Sequence, residues 1–397
     1  MGMSDVIRSY LDELERLGEV VKGLEPPVCI VSSDDADGLS STYLFSVILD
    51  SLGKEYRIVI LDKVYPELMS RLYELYPSII YLDLGGPFFK YIDENMYRST
   101  VIIDHHMEAA TPPSGLIYIN PLKFGFKDES VPSTSVTIYF LMRGLVEKHY
   151  QYSWAALLGM GEIPGEPGEL AWRALVEGVK TGVIKRVRRS YRVKIHGYER
   201  EFKALYRELT LVSTMGYFDD MGLEIIGWMR YGGMEGLKDY VERFKESRKE
   251  IYDHMFRRFD GGEMVFEKDY IQWFEDVDNL FYDVSPRVFD TFASTISMYG
   301  RYFNTRKYIL GLAIRNPYVP GYGYLSTEWI VVPIRVTRKL EFRIGLGLSQ
   351  PVYVLAETAA FASGGLGYGY KTLGSAVIPS NKREHFLNIF DSLASGR

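Results

Sequence analysis

The stretch "VCIVSSDDADGLSS", residues 28–41, places an apolar run directly before three aspartates, Asp34, Asp35 and Asp37, and a glycine. A short apolar, β-rich run that leads into a helix-length segment is typical of a buried strand followed by a helix. Carboxylates crowded at one strand end repel one another and would remain partly protonated without a counterion. The cluster therefore indicates a cation bound between them.

The same pattern continues through residues 28–162, where short β-rich runs alternate with helix-length amphipathic segments. This alternation predicts a parallel sheet covered by helices on both faces. The predicted strands are "VCIV", "YRIVIL", "SIIYLDL", "STVIIDHH" and "LIYIN", beginning at residues 28, 56, 78, 99 and 116. The predicted helices include "LSSTYLFSVILDSLG", "VYPELMSRLYELY" and "VPSTSVTIYFLMRGLVEK", beginning at residues 39, 64 and 131.

The expected fold class is α/β, with three parts along the chain. Residues 1–162 hold the parallel-sheet domain and an N-terminal amphipathic helix, residues 163–262 a charged helical connector, and residues 263–397 a smaller α+β C-terminal domain. The connector starts at the Gly/Pro-rich break "GEIPGEPGE". In the last part, "KYILGLAI" and "WIVVPIRVTRKLEFRIGLGL" are β-rich, "VYVLAETAAFA" is helix-like, and "SGGLGYGYKTLGSAVIP" is rich in glycine.

The composition limits the classes of protein. The formal charge of −6 argues against general coating of nucleic acid but permits a local basic groove. No stretch reaches the roughly 18 apolar residues of a membrane-spanning helix, and the acidic start does not have the pattern of a signal segment. The single cysteine, Cys29, is expected to be a buried small hydrophobe. These features predict a cytoplasmic protein with no membrane partner.

Acidic and histidine side chains follow the predicted strands at their carboxyl ends. Asp35 and Asp37 follow the first strand, Asp83 ends the third, and residues 104–106, Asp-His-His, end the fourth. Ligands of parallel sheets bind at this edge. Oxygen and imidazole donors without a thiolate favour Mn²⁺ or Mg²⁺, with Co²⁺ and Zn²⁺ as alternatives. Two such ions can clamp an in-line attack of hydroxide on phosphorus.

Several motifs resemble those of the DHH phosphoesterase superfamily, named for its Asp-His-His. "SSDDADGLSS", "YLDLGG" and "IIDHHM" are similar to its first three motifs, and "PSTSVTIYFL" followed by "AALLGMGE" is a weaker match to the fourth. "GYGYKTLGSAVIP" resembles the signature of the domain that accompanies DHH domains in RecJ-like nucleases, oligonucleotide phosphatases and related archaeal proteins. The resemblance implies a RecJ-like phosphoesterase that uses two Mn²⁺ or Mg²⁺ ions.

The resemblance also implies a role for each matching residue. His106 would face the scissile phosphate, and Asp104 would orient its neighbouring histidine, as such carboxylates usually do. The implied ligands of the first ion are Asp35 and Asp83, and Asp83 bridges the two ions. The implied ligands of the second ion are Asp37, His105, Glu162 and the same Asp83.

Three positions depart from the family pattern. Ser33 stands where the family usually has a histidine, Glu162 where it has an aspartate, and Tyr370 where the glycine loop has a histidine. The missing imidazole at position 33 weakens the first site, so we expect that site to fill only at higher Mn²⁺ concentration. Asp34 is expected to act as a helix cap or as a supporting group behind the ligands.

Two segments are candidates for substrate binding. Closely spaced glycines in the loop 364–374 let backbone N–H groups approach a phosphate, although a simple hairpin would also use them. The segment "KRVRRSYRVK", residues 185–194, carries six basic residues in ten and either contacts nucleic-acid phosphates or forms a solvated face. The candidate substrate-binding residues are Gly367, Gly369, Tyr370, Lys371, Arg188 and Arg189.

The expected function is hydrolysis of phosphodiester bonds in single-stranded nucleic acid or short oligonucleotides, as in a RecJ-like exonuclease. One alternative within the same chemistry is a phosphatase of polyphosphate or another small phosphate substrate. The alternative from another class is a catalytically weakened DHH scaffold that binds GINS and other replication proteins. The retained acidic cluster favours an enzyme, because self-repulsion among carboxylates destabilises a fold that has no use for them.

Overall fold

The computed structural model describes residues 2–85, 88–106, 111–127, 131–162, 167–188, 190–262 and 264–396, apart from the side chain of Glu162. Among these residues, no helix combines the length and the apolar character needed to span a membrane.

The N-terminal domain is built on a parallel sheet, as the alternating pattern predicted. Its strands are β1 (Val28–Ser33), β2 (Tyr56–Leu61), β3 (Ser78–Leu82), β4 (Thr100–Ile103) and β5 (Ile117–Ile119). Neighbouring strands all pair in parallel, and their order across the sheet is β2-β1-β3-β4-β5. Every residue of the interior strand β1 is buried, which explains why its first four residues, 28–31, form a continuous apolar run and not an alternating pattern.

Helices that accompany this sheet are α1 (Met3–Gly23), α2 (Ala36–Ser51), α3 (Pro66–Leu75), α4 (Thr134–Leu141) and α5 (Ser153–Gly159). Helix α4 is shorter than the pattern predicted, since the chain continues as a 3₁₀ turn at Met142–Gly144. The glycine at its end is a poor helix former, in keeping with this stop. Helix α2 is buried on nearly all sides, because it lies between the sheet and other helices.

The connector is mainly helical, with α6 (Glu169–Thr181), α7 (Phe202–Met215), α8 (Met221–Tyr231) and α9 (Leu237–Asp260). Between α6 and α7 lies an antiparallel sheet that the sequence pattern did not predict, formed by β6 (Ile184–Val187), β7 (Ser190–Ile195) and β8 (Tyr198–Glu201). The basic segment is therefore a β-hairpin. Its signal is an alternation of period two, with Val193 and Ile195 buried and Lys194 exposed.

The C-terminal domain is α+β, as predicted. Its strands are β9 (Phe266–Glu267), β10 (Ile271–Glu275), β11 (Tyr308–Ile314), β12 (Tyr318–Val319), β13 (Gly323–Tyr324), β14 (Trp329–Arg335), β15 (Leu366–Gly369) and β16 (Leu373–Pro379). Its helices are α10 (Pro286–Ser297), α11 (Arg338–Gly345), α12 (Val352–Ala362) and α13 (Arg383–Ala394). The main sheet has the order β15-β16-β14-β11-β10-β9, with only β10 and β11 parallel, and β12 pairs with β13.

One expectation for this domain was wrong. The run "WIVVPIRVTRKLEFRIGLGL" is β-rich only as far as Arg335, after which it forms helix α11. Thr337 caps that helix, since its side-chain oxygen accepts a hydrogen bond from the backbone N–H of Leu340. Buried Leu340 and Ile344 lie four residues apart on one helical face. The cap and this spacing were the available signals of a helix.

Apolar packing joins the parts of the chain. One core packs the helices α1, α2, α4 and α5 with the connector helices and α10. A second core covers the other face of the parallel sheet and includes Trp329, Val331 and Val377 of the C-terminal domain. The backbone N–H of Ile60 in β2 also donates to the carbonyl of Pro320 across this contact. The C-terminal domain is thus packed directly on the sheet that carries the acidic cluster.

Candidate metal centre and interdomain cleft

The strand order places the acidic residues at one point of the sheet. Strands β2 and β3 lie on opposite sides of β1, so the connections after β1 and β3 leave a crevice at their carboxyl ends. Asp35 follows β1 and Asp83 directly follows β3. Asp104 and His105 follow β4, the next strand across the sheet. The sheet therefore gathers side chains that are up to 70 residues apart in sequence.

Asp35 caps helix α2. Its Oδ1 atom accepts hydrogen bonds of 3.0 Å from the backbone N–H groups of both Asp37 and Gly38. The Ser33 hydroxyl lies between two carboxylates, 3.2 Å from Oδ1 of Asp35 and 2.8 Å from Oδ2 of Asp83. A Cβ atom at Gly38 would overlap Ser33, so the glycine permits this tight turn. The position that the family usually gives to histidine is thus filled by a bridging hydroxyl.

Asp37, in the first turn of α2, is fully buried, and its carboxylate lies at the N-terminus of α4. Its carboxylate oxygens accept hydrogen bonds from the backbone N–H groups of Thr134, at 2.9 Å, and Ser135, at 3.0 Å. Burial and the neighbouring Asp83 carboxylate raise the pKa of Asp37 to about 7. A Cβ atom at Gly159 would overlap the Asp37 carboxylate and Ser135. The glycine of the weak fourth motif therefore makes room for this acid.

Asp83 is the centre of the cluster. Its backbone φ of 58° lies in the left-handed region, which Asp and Asn adopt more readily than most residues. Its Oδ1 atom lies 3.1 Å from Nε2 of His105 and 3.1 Å from the hydroxyl of Thr134. Burial would raise the pKa of Asp83, but the hydrogen bond with His105, the charges of His105 and His106, and the Ser33 hydroxyl together lower it to about 2. The same His105 nitrogen lies 3.9 Å from Oδ2 of Asp37.

His106 is positioned by Asp104. The Asp104 Oδ1 atom lies 2.7 Å from Nδ1 of His106 and also accepts the backbone N–H of His105, at 2.9 Å. Burial would lower the pKa of His106, but the Asp104 carboxylate raises it above the usual value. Gly85 approaches the other side of the imidazole, and a Cβ atom there would lie 3.1 Å from its Cγ. The ring is therefore held in one orientation.

These donors fit one divalent cation well. The potential ligand atoms of Asp83, His105 and His106 lie within 4.8 Å of one another, and Asp37 adjoins them. Carboxylate and imidazole ligands suit Mn²⁺ and related ions. A cation there would also relieve the repulsion that separates the pKa values of Asp37 and Asp83. The metal site expected from Asp37, Asp83 and His105 is thus chemically reasonable, while the Glu162 side chain lies outside the described residues.

The position expected for the first metal ion is occupied by an arginine side chain. Nη1 of Arg287, in helix α10, lies 2.8 Å from Oδ2 of Asp35, and its Nε lies 2.9 Å from Oδ1 of Asp34. Asp34 also accepts a hydrogen bond from the Ser285 hydroxyl. Asp34 thus binds the C-terminal domain and does not cap α2. With the Ser33 hydroxyl on one side and the guanidinium on the other, the donors present do not fit a metal ion.

A cavity of about 270 Å³, here called the interdomain cleft, opens beside His106. Lys63 lies 2.7 Å from Asp290 and its Nζ stands 4.8 Å from the centre of the Tyr368 ring. Arg335 donates to the Ser294 hydroxyl and to the backbone carbonyl of Asp290. One aspartate does not neutralise these cations, so the wall attracts anions. The cleft is lined by His106, Lys63, Arg287, Asp290, Arg335, Ser375 and residues 368–370, among others.

Arg287 separates the interdomain cleft from a second cavity of about 440 Å³. This second cavity lies among α7, α9 and α10 and carries Arg207, Lys245 and Arg248 on its walls. Both cavities therefore present cationic side chains next to the acidic cluster.

The structure places the predicted substrate residues in different environments. Gly369 and Tyr370 line the interdomain cleft, and the Tyr370 ring centre lies 6.3 Å from that of His106. Gly367 instead packs on α12, where a Cβ atom would overlap the Ala356 carbonyl. Lys371 is exposed at the turn between β15 and β16 and is not among the cleft-lining residues.

The basic hairpin is not part of the centre. Arg188 is exposed at the turn between β6 and β7, with a φ of 55°, and lines neither cavity. Arg189 lies outside the described residues. Two of the neighbouring arginines make local ion pairs, Arg192 with Glu199 and Arg200 with Glu208. The segment with the highest density of basic residues is thus separate from the cavities beside the acidic cluster.

The cations that line the cleft had no direct signal in the sequence. Lys63 lies just after β2, and Arg287 and Arg335 are about 180 to 300 residues from the acidic motifs in sequence. Their local patterns are those of ordinary strand and helix ends. A weak signal was the Ser-Pro pair at residues 285–286, which marks a helix start and therefore a position where an arginine can be held firmly.

Comparison with known families assigns the first part of the chain. Residues 27–161 match the DHH family, N-terminal domain. These residues therefore form a DHH domain. No curated protein sequence matches it.

Solved structures extend the likeness to nearly the full chain. An exonuclease RecJ bound to manganese is similar with 15% identity and a TM-score of 0.60, over 97% of this chain and 94% of that one. RecJ from Thermus thermophilus in complex with Mn²⁺ is also 15% identical with a TM-score of 0.60, and the match covers 98% of this chain and 55% of that one. CDC45 from Entamoeba histolytica is 9% identical with a TM-score of 0.58, and the match covers 98% of this chain and 99% of that one. At these identities the likeness is one of fold, and the fold is RecJ-like.

Proposed function

We propose that this protein is a metal-dependent phosphoesterase that hydrolyses phosphodiester bonds in single-stranded nucleic acid or short oligonucleotides, as a RecJ-like exonuclease does. One observation carries the proposal: buried Asp37, Asp83 and His105 adjoin His106 at the mouth of a cleft with cationic walls. A metal site next to an anion-binding cavity is the arrangement that phosphoryl transfer requires.

Each side chain then has a defined task. Asp37, Asp83 and His105 hold the ion, with Glu162 as a further ligand implied by the family motif. A divalent ion bound there, Mn²⁺ or Mg²⁺, would supply Lewis acidity toward a phosphoryl oxygen. The His106 imidazole, fixed by Asp104 through Nδ1, presents its other nitrogen to a phosphate oxygen. The donors of Lys63 and Arg335 bind the phosphates of the substrate within the interdomain cleft.

The cleft also bears on the kind of substrate. It lies between the DHH domain and the C-terminal domain, which suits the end of a chain. The second cavity, with three further cations, offers a continuation for a longer polyanion. Polyphosphate and other small phosphate substrates share this chemistry and remain the alternative within the class.

A scaffold function is the second candidate, and a specific observation favours it. The guanidinium of Arg287 lies on Asp35, and the fold is similar to that of a CDC45 over nearly the whole of both chains. In that case the protein would bind GINS-type replication proteins and would not hydrolyse phosphodiesters. The retained Asp37 and Asp83 support the enzyme instead, because two buried carboxylates this close repel each other unless a cation or a proton lies between them.

A substrate panel tests the proposal. Labelled single-stranded DNA, RNA, short oligonucleotides and polyphosphate are incubated with the protein and Mn²⁺ or Mg²⁺, next to the Asp83→Asn variant. We expect the wild type alone to shorten the nucleic acids. Turnover confined to polyphosphate contradicts the nuclease, and no turnover of any substrate, together with capture of a purified GINS-type complex, supports the scaffold.

A further inference from the structure

The Arg287 guanidinium lies at the position that the family pattern gives to the first metal ion. It is held by two acids: Nη1 lies 2.8 Å from Oδ2 of Asp35, and Nε lies 2.9 Å from Oδ1 of Asp34. Both carboxylates are buried, while the Arg287 side chain is 29% exposed toward the two cavities. Such charge-assisted contacts to two fixed carboxylates are stronger than a surface ion pair.

The remaining donor atoms of this position are also engaged. Oδ1 of Asp35 accepts two backbone N–H groups and lies 3.2 Å from the Ser33 hydroxyl, which bridges to Asp83 at 2.8 Å. The family's imidazole is replaced by this hydroxyl. Each oxygen of Asp35 therefore already contacts a hydrogen-bond donor. A metal ion would have to displace Arg287 and would find one fewer strong ligand.

The fold holds Arg287 in place through the start of helix α10. The Ser285 hydroxyl accepts a hydrogen bond from the backbone N–H of Arg287, at 3.1 Å, and donates to Asp34. The backbone N–H of Ser285 donates to the Thr214 carbonyl, at 2.8 Å. Asp34 thus anchors both the helix N-terminus and the arginine that follows it. This gives a reason for the additional aspartate in "SSDDADG".

We propose that the guanidinium of Arg287 takes the place of the first divalent ion, so that this protein binds one divalent ion and keeps a fixed organic cation beside it. The inference rests on the proposed function, because it assumes an ion at Asp37, Asp83 and His105. A guanidinium carries one positive charge where a metal ion carries two. It offers donors in a rigid fork that matches both carboxylate and phosphate oxygens. Facing both cavities, it can also contact a phosphate of the substrate.

The test counts bound ions. Mn²⁺ binding is measured by calorimetry and by metal analysis after dialysis, and paramagnetic resonance separates an isolated Mn²⁺ from a spin-coupled pair. The proteins compared are the wild type, Ser33→His, Arg287→Gln and the double variant Ser33→His/Arg287→Gln. Arg248→Ala is the matched control, because Arg248 lines the adjoining cavity and has no ion pair with Asp34 or Asp35 among the described residues. Circular dichroism checks that each variant is folded.

We expect one isolated Mn²⁺ per chain in the wild type, in Arg248→Ala and in Ser33→His. The double variant should bind two coupled ions, and its second ion should bind at least about 10-fold more tightly than any additional ion that Ser33→His takes up at high Mn²⁺ concentration, since ligand and supporting-residue changes commonly shift affinity about 10- to 100-fold.

Two ions in the wild type, or two in Ser33→His with the affinity of the double variant, would overturn the role of Arg287. One ion in a folded double variant would overturn it as well. If Arg287→Gln leaves Asp34 buried without its cation and does not fold, Asp34→Asn/Arg287→Gln/Ser33→His replaces the double variant, with the same expectation. A wild type that binds no ion at all would instead contradict the metal-dependent phosphoesterase.

Discussion

Asp62 and Arg315 form a fully buried ion pair, in which Oδ1 of Asp62 lies 2.7 Å from Nη2 of Arg315. Asp62 follows β2 of the DHH domain, and Arg315 follows β11 of the C-terminal domain. The hydroxyls of Tyr65 and Tyr217 donate to the same carboxylate, at 2.6 and 3.0 Å. Because Tyr217 belongs to the connector region, this one carboxylate joins all three parts of the chain. It thereby links the two domains that form the cleft.

Replacing Asp62 should destabilise the protein strongly. The Asp62→Asn variant keeps the shape of the side chain but leaves the Arg315 charge buried without its partner, which typically costs about 3–5 kcal/mol in the free energy of unfolding. Urea denaturation at pH 7 measures the loss. Asp62→Asn/Arg315→Gln removes both charges and should regain part of it. A loss below about 1 kcal/mol in the single variant would show that the pair does not hold the domains together.

The same pair makes a prediction for pH. Burial alone would raise the pKa of Asp62, but the Arg315 guanidinium and three side-chain hydrogen bonds hold it below the usual value. Because the pKa of Asp62 is lowered in the folded state, the ionised carboxylate contributes its full stabilisation at any pH above the pKa of the unfolded chain, about 3.9. This stabilisation is lost as the pH falls below that value. The difference in unfolding free energy between wild type and Asp62→Asn should therefore be constant from pH 7 to 5 and shrink toward pH 3. A difference that grows on acidification contradicts this account.

Asp83 should be indispensable for metal binding and hydrolysis. We choose Asp83→Asn because Asn also tolerates the φ of 58°, so the backbone is preserved. The loss of the negative charge should weaken Mn²⁺ binding by at least about 10-fold and abolish detectable hydrolysis, while the variant remains folded. Calorimetry and a nuclease assay measure both effects. Hydrolysis at the wild-type rate in Mn²⁺ buffer would mean that the site is misplaced.

Gly159 should be required for the geometry of Asp37. In Gly159→Ala the new methyl group overlaps the Asp37 carboxylate and Ser135, which we expect to cost about 1–3 kcal/mol and to weaken metal binding. Gly227→Ala is the control, since Gly227 lies within helix α8 with open space where a Cβ atom would lie, and alanine should stabilise that helix by up to about 1 kcal/mol. Unfolding curves and metal titration compare the two. Equal metal affinity in both variants would contradict the close contact with Asp37.

The cationic wall of the cleft should act on substrate binding more than on the chemical step. Lys63→Met removes one cation from the wall, so we expect KM for a single-stranded oligonucleotide to rise about 10-fold with a smaller change in kcat. Oligonucleotide binding is measured in the inactive Asp83→Asn variant with and without Lys63→Met. Lys63→Met should reduce the slope of log affinity against log salt concentration by about 0.7, the value for one phosphate contact on a single strand.

Lys339→Met is the matched control for Lys63, because Lys339 is an exposed lysine of helix α11 outside the cleft-lining residues. It should leave KM and the salt dependence unchanged. Because Lys63 also binds Asp290, the Lys63→Met/Asp290→Asn variant separates the loss of a phosphate contact from the loss of this ion pair. A normal salt slope in Lys63→Met would place the substrate elsewhere.

Local sequence patterns were sufficient to predict the architecture of the DHH domain. Hydrophobic periodicity is local, so the runs before Asp35, Asp83 and Asp104 identified three strands, and the rule that parallel strands share their carboxyl edge brought their acids together. The hairpin at residues 184–195 was missed, since its charged residues masked a weak alternation of apolar and polar side chains. Helix α11 was missed, since its charged residues masked the N-terminal cap. Where the local pattern was strong, the fold followed from it.

The cations that face the acidic cluster are selected by the docking of the domains. Arg287 is about 250 residues from Asp34 and Asp35, and Lys63 and Arg335 meet at the cleft because the C-terminal domain packs on the parallel sheet. Contacts between distant segments depend on how whole domains dock, and a single sequence carries no local period that encodes that docking. The aspartates of "SSDDADG" thus indicated that a cation was needed, whereas the packing of α10 determined that, for Asp34 and Asp35, the cation is an arginine.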